Sequence, residues 1–287
     1  MKRRGFLINV AGAAASSAFA GGRDIMREQS SDFDSNGVRI HYVAKGQGDP
    51  VVLLHGFIFS IGPAWVDGGL FDDLSKRSRV VAMDLRGHGQ SGKPHDPSRY
   101  GMEMVNDVLR LIDYLRFDKV HLVGYSLGGM VACKCLEVAA ERLRSVVLGG
   151  AGWMREQDST YRSWIPLAEM LEHVRPGERL SSYFWPDPKT RPSAEVQTFV
   201  DNNDPAALAG VARGMLDLAV KEETLRTNRV PVLAMCGERD PVKTSVLAMQ
   251  PVTQNLTVQV IPGFDHTTLP SSTAFRIALY NVVAGRR

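Results

Sequence analysis

Seven short runs rich in β-branched residues, at 38–44, 51–54, 80–83, 120–123, 145–148, 230–235 and 257–261, alternate with stretches of helical period near 64–77, 101–116, 127–141, 242–249 and 272–284. Apolar runs this short read as strands buried on both faces, and 101–116 sets Met104, Val108, Leu111, Ile112 and Leu115 on one side of a helix. A strand that returns parallel to its predecessor needs a crossover, which a helix supplies, so this alternation predicts an α/β fold: a mostly parallel central sheet with helices on both faces. The run at 38–44 should pair with the polar segment before it. With 287 residues, 44% of them hydrophobic, the chain can bury one sizeable core.

The alternation lapses once. Residues 152–205 hold Trp153, Tyr161, Trp164, Tyr183, Phe184 and Trp185, with Pro166, Pro176, Pro186, Pro188 and Pro192 expected to break any long helix. We expect a lid inserted into a core made of 21–151 and 206–287. Trp153, Trp164 and Trp185, together with Tyr125, are candidate pocket residues, although lid aromatics can equally serve packing alone.

The first twenty residues, MKRRGFLINVAGAAASSAFA, run from a basic start through an apolar stretch to Ala18-Phe19-Ala20, a small-x-small cleavage pattern. This predicts an export signal over 1–20 and a periplasmic or secreted mature protein. Arg3-Arg4-Gly5-Phe6-Leu7 resembles a twin-arginine signal, from which Lys2 and Ile8 depart. The apolar stretch is shorter than the about 20 residues that span a bilayer, and no stable membrane anchor is expected. Removing Lys2, Arg3 and Arg4 with no acidic residue would take the formal charge from +3 to zero. Without a basic excess, nucleic acid and anionic membrane surfaces are poor partners. Cys133, Cys135 and Cys236 make no disulfide framework and read as buried thiols.

Gly124-Tyr125-Ser126-Leu127-Gly128 matches G-x-S-x-G and falls between an expected strand and an expected helix. A sharp strand-to-helix turn strains the serine backbone and leaves no room for side chains at the flanking positions, which glycine relieves. Ser126 Oγ would then project at the carboxyl edge of the sheet, beside the amide of Leu127 at a helix start. Gly129 would let that helix lie close to the sheet. The spacing from Gly124 to Gly129 is no nucleotide loop, because the Lys-Ser/Thr that grips phosphate is missing.

From about residue 32 onward the chain resembles the α/β-hydrolase superfamily. Leu53-Leu54-His55-Gly56-Phe57 is similar to the family's oxyanion loop, which implies that the backbone N–H groups of Phe57 and Leu127 hold a developing oxyanion. The stretch from Asp84 to Ser91 resembles a D-x-R-G-H-G-x-S loop of structural role, which implies bracing by Asp84, Arg86 and His88. Cys236-Gly237-Glu238-Arg239-Asp240 resembles the turn that carries the acid, and Gly263-Phe264-Asp265-His266 follows the last expected strand. The resemblance implies a triad of Ser126, Asp240 and His266, in the nucleophile-acid-base order of this fold.

Competing residues fit less well. Glu238 suits the turn and Asp265 should point away from His266; the loop at 149–152 offers no carboxylate as an alternative acid. His121, inside an expected strand, reads as a satisfied core histidine, while His41, His95 and His173 lie in surface-like contexts. No metal-ligand spacing is present. Dehalogenases and epoxide hydrolases of the family use aspartate at the elbow, many carbon–carbon bond hydrolases have tryptophan where this chain has Thr267, and proline iminopeptidases show G-G-S-W-G. The resemblance thus implies a cofactor-free hydrolase of small-molecule carboxylic esters or lactones, with carbon–carbon bond hydrolysis or perhydrolase- and haloperoxidase-like activity as alternatives. A non-catalytic ligand-binding member of the fold is a further one.

Overall fold

The structure, a computed structural model, describes residues 28–285, so the export signal expected over 1–20 lies outside the described residues. Among these residues eight strands form one sheet: β1 (Gln29–Ser35), β2 (Val38–Lys45), β3 (Pro50–Leu54), β4 (Arg79–Met83), β5 (Val120–Tyr125), β6 (Leu143–Gly149), β7 (Val232–Gly237) and β8 (Leu256–Ile261). Their order across the sheet is 1-2-4-3-5-6-7-8. β1 pairs antiparallel with β2, and β2 antiparallel with β4; every later pairing is parallel, as the alternation requires. The expected strand at 230–235 begins two residues later, because Pro231 has no N–H for the ladder and Asn228 takes up both the N–H and the C=O of Val230.

Among the described residues ten α-helices accompany the sheet: α1 (Leu70–Ser75), α2 (Met102–Tyr114), α3 (Leu127–Val138), α4 (Ser159–Glu172), α5 (Leu180–Phe184), α6 (Ala194–Asp201), α7 (Pro205–Gly214), α8 (Glu222–Thr227), α9 (Lys243–Leu247) and α10 (Thr273–Val283). They divide the apolar interior between the two sheet faces. One core gathers α2, α3 and the helices from α4 to α9 over residues such as Val52, Leu54 and Leu122, while the other gathers α1 and α10 over Val51, Leu53, Val123 and Tyr125. Residues alternate between these cores along each strand because successive side chains point to opposite faces. The helix expected at 64–77 is instead a wide turn, Gly62–Val66, followed by α1, since Gly69 at φ 75° interrupts it.

Between β6 and β7 the chain leaves the sheet for α4 to α8. Contrary to the sequence expectation, α4 runs as a fourteen-residue helix straight through Pro166. A proline inside a helix costs about 3 kcal/mol through its lost N–H and ring clash. Burial of Trp164, Ala168 and Leu171 on one side of α4 offsets that cost. α7 packs on α4 and against the turn before α2, where Gly210 and Gly214 make room for Tyr100: a Cβ on Gly210 would fall 2.5 Å from its Cε2. Seven of the ten residues of α7 are buried, whereas Val200 is the buried residue of α6.

Candidate active site

β5 delivers its chain to a turn whose close packing dictates the composition. Ser126 sits at φ 51° and ψ −114°, a region costly for any residue with a Cβ and held here because the surroundings over-determine it. Its own N–H continues the sheet ladder by donating to Gly149 O at 2.8 Å. A Cβ on Gly124 would lie 2.1 Å from Gly128 O, and one on Gly128 would lie 2.3 Å from Leu54 O. Gly129 faces Ala151, whose Cβ would be 2.5 Å from an added one, so the glycine brings α3 against the sheet.

The loop after β3 docks on that turn. Gly128 N–H donates to His55 O at 3.0 Å, and a Cβ on Gly56 would lie 3.4 Å from Ser126 Cβ. The His55 ring donates through Nδ1 to Gly56 O at 2.8 Å and accepts the Leu85 N–H at Nε2, 3.0 Å. These two roles fix a neutral tautomer, which burial also favours by pulling the imidazole below its ordinary range against the pull of Asp84. His88 stacks edge-on to His55 and to Phe57, and burial, helped by His55, pushes it down to about 3. Ile58 follows Phe57 at φ 63°, a strained angle for a β-branched residue. The loop that carries the Phe57 amide is therefore fixed from beneath and bent sharply beyond it.

His266 comes from the turn after β8 and Asp240 from the turn after β7. The two turns are laced together: Glu238 N–H donates to Ile261 O and Arg239 N–H to Phe264 O. His266 Nδ1 lies 3.1 and 3.0 Å from the two carboxylate oxygens of Asp240, and Nε2 lies 2.9 Å from Ser126 Oγ. A carboxylate only accepts, so Nδ1 carries the proton and Nε2 is left to accept from the serine hydroxyl. Asp240 is fully buried as a side chain while His266 is one-fifth exposed. Three residues far apart in sequence thus form one hydrogen-bonded chain at the carboxyl edge of the sheet.

The competing residues are accounted for. Glu238 accepts the Gly263 N–H at 3.1 Å, and Asp265 accepts the amides and hydroxyls of Thr267 and Thr268. Burial alone would raise the Asp265 carboxyl, but those hydrogen bonds bring it down to about 2. Asp84 accepts from Ile61 and Gln90, and Arg86 makes a paired contact with Asp107, both buried. His121 is buried with Nδ1 2.7 Å from Ser145 Oγ. His41 corrects the sequence reading: β2 has a neighbour on each side, and its ring is buried with Nδ1 3.1 Å from cross-strand Asp32. Cys133 and Cys135 are buried thiols pushed up to about 12. Among the described residues no cluster of metal-ligating side chains is present.

Of the four candidate pocket residues, Trp164 meets the loop after β3, its ring edge-on to Phe57 at 5.5 Å. Trp153 donates its indole N–H to Val220 O at 2.7 Å, and Trp185 is buried beside Phe184. Tyr125 requires a correction. Strand alternation turns it onto the face covered by α10, where it is buried against Phe275 and its hydroxyl donates to the main-chain carbonyl of His266. Sequence reasoning also missed Gly149 and Gly150, which clear space for that ring: added Cβ atoms would lie 2.7 Å from Tyr125 Cδ2 and 2.9 Å from Tyr125 Oη.

The family model described as alpha/beta hydrolase fold matches residues 49–179. A protein of Bacillus subtilis (strain 168), provisionally named 2-succinyl-6-hydroxy-2,4-cyclohexadiene-1-carboxylate synthase, is 26% identical over 81% of this chain and 90% of its own. Curated epoxide hydrolases and haloalkane dehalogenases match shorter stretches, 27–44% of their own length. Among solved structures, a thermophilic esterase from Thermogutta terrifontis superposes with a TM-score of 0.71 at 22% identity, over 90% of this chain and 98% of that one. The meta-cleavage product hydrolase of Pseudomonas fluorescens IP01 gives 0.72 at 22% identity, over 89% and 97%.

Proposed function

Because this chain belongs to the α/β-hydrolase fold superfamily, we propose that it is a serine hydrolase of carboxylic esters or lactones, acting through an acyl-enzyme. The observation that carries the proposal is the hydrogen-bonded chain from Ser126 through His266 to Asp240. In this reading Ser126 Oγ attacks the substrate carbonyl as His266 Nε2 takes its proton, and Asp240 holds the ring and stabilises the imidazolium. The Phe57 and Leu127 amides receive the oxyanion of the tetrahedral intermediate. His266 then returns the proton to the leaving alcohol, and water enters by the same route in reverse to release the acid. Losing one such oxyanion donor costs about 3–4 kcal/mol in the barrier.

Serine at the elbow separates this site from relatives that form their ester on an aspartate. The segment of 152–205 is the lid of this reading, and Trp164 against Phe57 is the contact through which it would shape the substrate. The resemblance of residues 1–20 to an export signal supports a periplasmic or secreted enzyme, tested by whether Arg3-Arg4→Lys-Lys leaves precursor in the cytoplasm.

The reaction is tested with a fluorophosphonate probe and a panel of p-nitrophenyl esters, lactones and a vinylogous diketone that reports carbon–carbon cleavage. Labelling of the wild type, its loss in Ser126→Ala, and turnover of the esters or lactones are expected. Labelling that survives Ser126→Ala, or turnover of the diketone alone, overturns the assignment. Saturable ligand binding without turnover, unaltered in Ser126→Ala, would instead identify a binding protein.

A further inference from the structure

The three groups of the triad stand on separate turns, and their mutual distances depend on how those turns are tied together. Arg239 N–H to Phe264 O joins the acid turn to the base turn. Asp265 folds the base turn on itself by accepting from Thr267 and Thr268. Neither contact reaches β5, which carries the nucleophile.

Tyr125 does reach it. The residue directly precedes Ser126 on β5, its ring lies against the His266 imidazole with centroids 5.6 Å apart, and its hydroxyl donates to His266 O. Phe275 packs edge-on behind the ring at 5.8 Å. Gly150, at φ 55°, passes so close that a Cβ would lie 2.9 Å from Tyr125 Oη and 3.1 Å from His266 Cε1. The phenol is almost fully enclosed, and burial raises its pKa well above the ordinary value, so it remains a donor at neutral pH.

We propose that Tyr125 is a positioning residue for the base: its O–H holds the His266 main chain so that one imidazole meets Asp240 and Ser126 together. The inference rests on the serine-hydrolase reading for its kinetic consequence and on the hydrogen bond alone for its structural one. Base anchor and nucleophile are then consecutive residues, the last of β5 and the first beyond it, and a displacement of β5 carries both. Tyr125 does not face the cleft, so its hydroxyl acts on the reaction through His266 and not on substrate binding.

Tyr125→Phe keeps the ring and removes the hydroxyl. A misplacement of about 1 Å can cost about 10²-fold, so kcat should fall about 10- to 100-fold while KM stays within about twofold. Long-range 1H–15N spectra of the imidazole supply a readout independent of turnover. In the wild type they should show a single tautomer with the proton on Nδ1, and in Tyr125→Phe a mixture. Phe275→Leu loosens the same packing without touching the hydroxyl; it should lower Tm and leave both readouts in place. A Tyr125→Phe enzyme with unchanged kcat and an unchanged spectrum overturns the proposal, as does an equal loss of kcat in Phe275→Leu. If the wild type neither labels nor turns over, the reaction assignment fails while the spectra still decide the clamp.

Discussion

Replacing Asp240 by asparagine tests the proposed base through hydrogen-bond arithmetic. Asp240 takes the Nδ1–H of His266 at 3.1 and 3.0 Å and, through Oδ1, the Val242 N–H at 3.0 Å. Asparagine has one oxygen for these two donors. If that oxygen stays on Val242, the amide NH2 replaces Oδ2 at 3.0 Å from Nδ1, and the ring must move its proton to Nε2 to avoid two facing donors. Nε2–H then points at Ser126 Oγ and can no longer accept its proton. If the amide turns instead, the buried Val242 N–H is left unpaired at about 1–3 kcal/mol. The first arrangement retains the buried bond and is the one expected. A triad in the wrong tautomer loses about 10⁴ in kcat, equivalent to about 5 kcal/mol at 1.36 kcal/mol per decade. Hydrolysis of p-nitrophenyl acetate and the rate of fluorophosphonate labelling should fall together, with the thermal transition close to that of the wild type. Activity within about tenfold of the wild type in a folded Asp240→Asn protein would refute the reasoning.

Three further outcomes are expected. Gly128→Ala would set a methyl 2.3 Å from Leu54 O and 2.7 Å from His55 O, separating the serine turn from the Phe57 loop; the urea midpoint should report a loss of about 1–3 kcal/mol, accompanied by a fall in turnover. Arg86→Met leaves the buried Asp107 carboxylate without its paired contact and should cost about 3–5 kcal/mol by urea unfolding, most of it recovered in Arg86→Met/Asp107→Leu. Asp265 has a folded value of about 2, below its unfolded one, so its contribution to stability is complete above about pH 4 and disappears as the pH falls toward 2. The stability difference between wild type and Asp265→Asn, measured by urea titration across that range, should shrink on acidification; a difference that grows would contradict it.

Much of the site was legible because its parts obey local rules. Short β-branched runs locate β3 to β8 within a few residues, and the crowding that places Gly124, Gly128 and Gly129 around Ser126 is a property of one turn. The acid and base candidates follow from the family resemblance, which looks for them after the last two strands. What stayed hidden depends on which face of a strand meets which helix. Tyr125 sits among the elbow residues, yet its direction is set by the pleat of β5 and by Phe275 of α10, more than a hundred residues away. His41 sits in a half-polar run, and Asp32 becomes its partner only through the register of β1. Pro166 argues against a helix locally, and packing of α4 on α7 overrules it.

The attachment of α7 to Tyr100 has an evolutionary consequence. Gly210 and Gly214 fit that ring and the backbone of Gly101 so closely that an added methyl would lie 2.5 Å from Tyr100 Cε2 or 2.2 Å from Gly101 N. Drift in α7 is therefore judged by the stability of the whole domain. α5 and α6 bury fewer side chains, Leu180 and Ser181 in one and Val200 in the other. Substitutions are therefore tolerated more readily in α5 and α6 than in α7, whose packing keeps the chain folded.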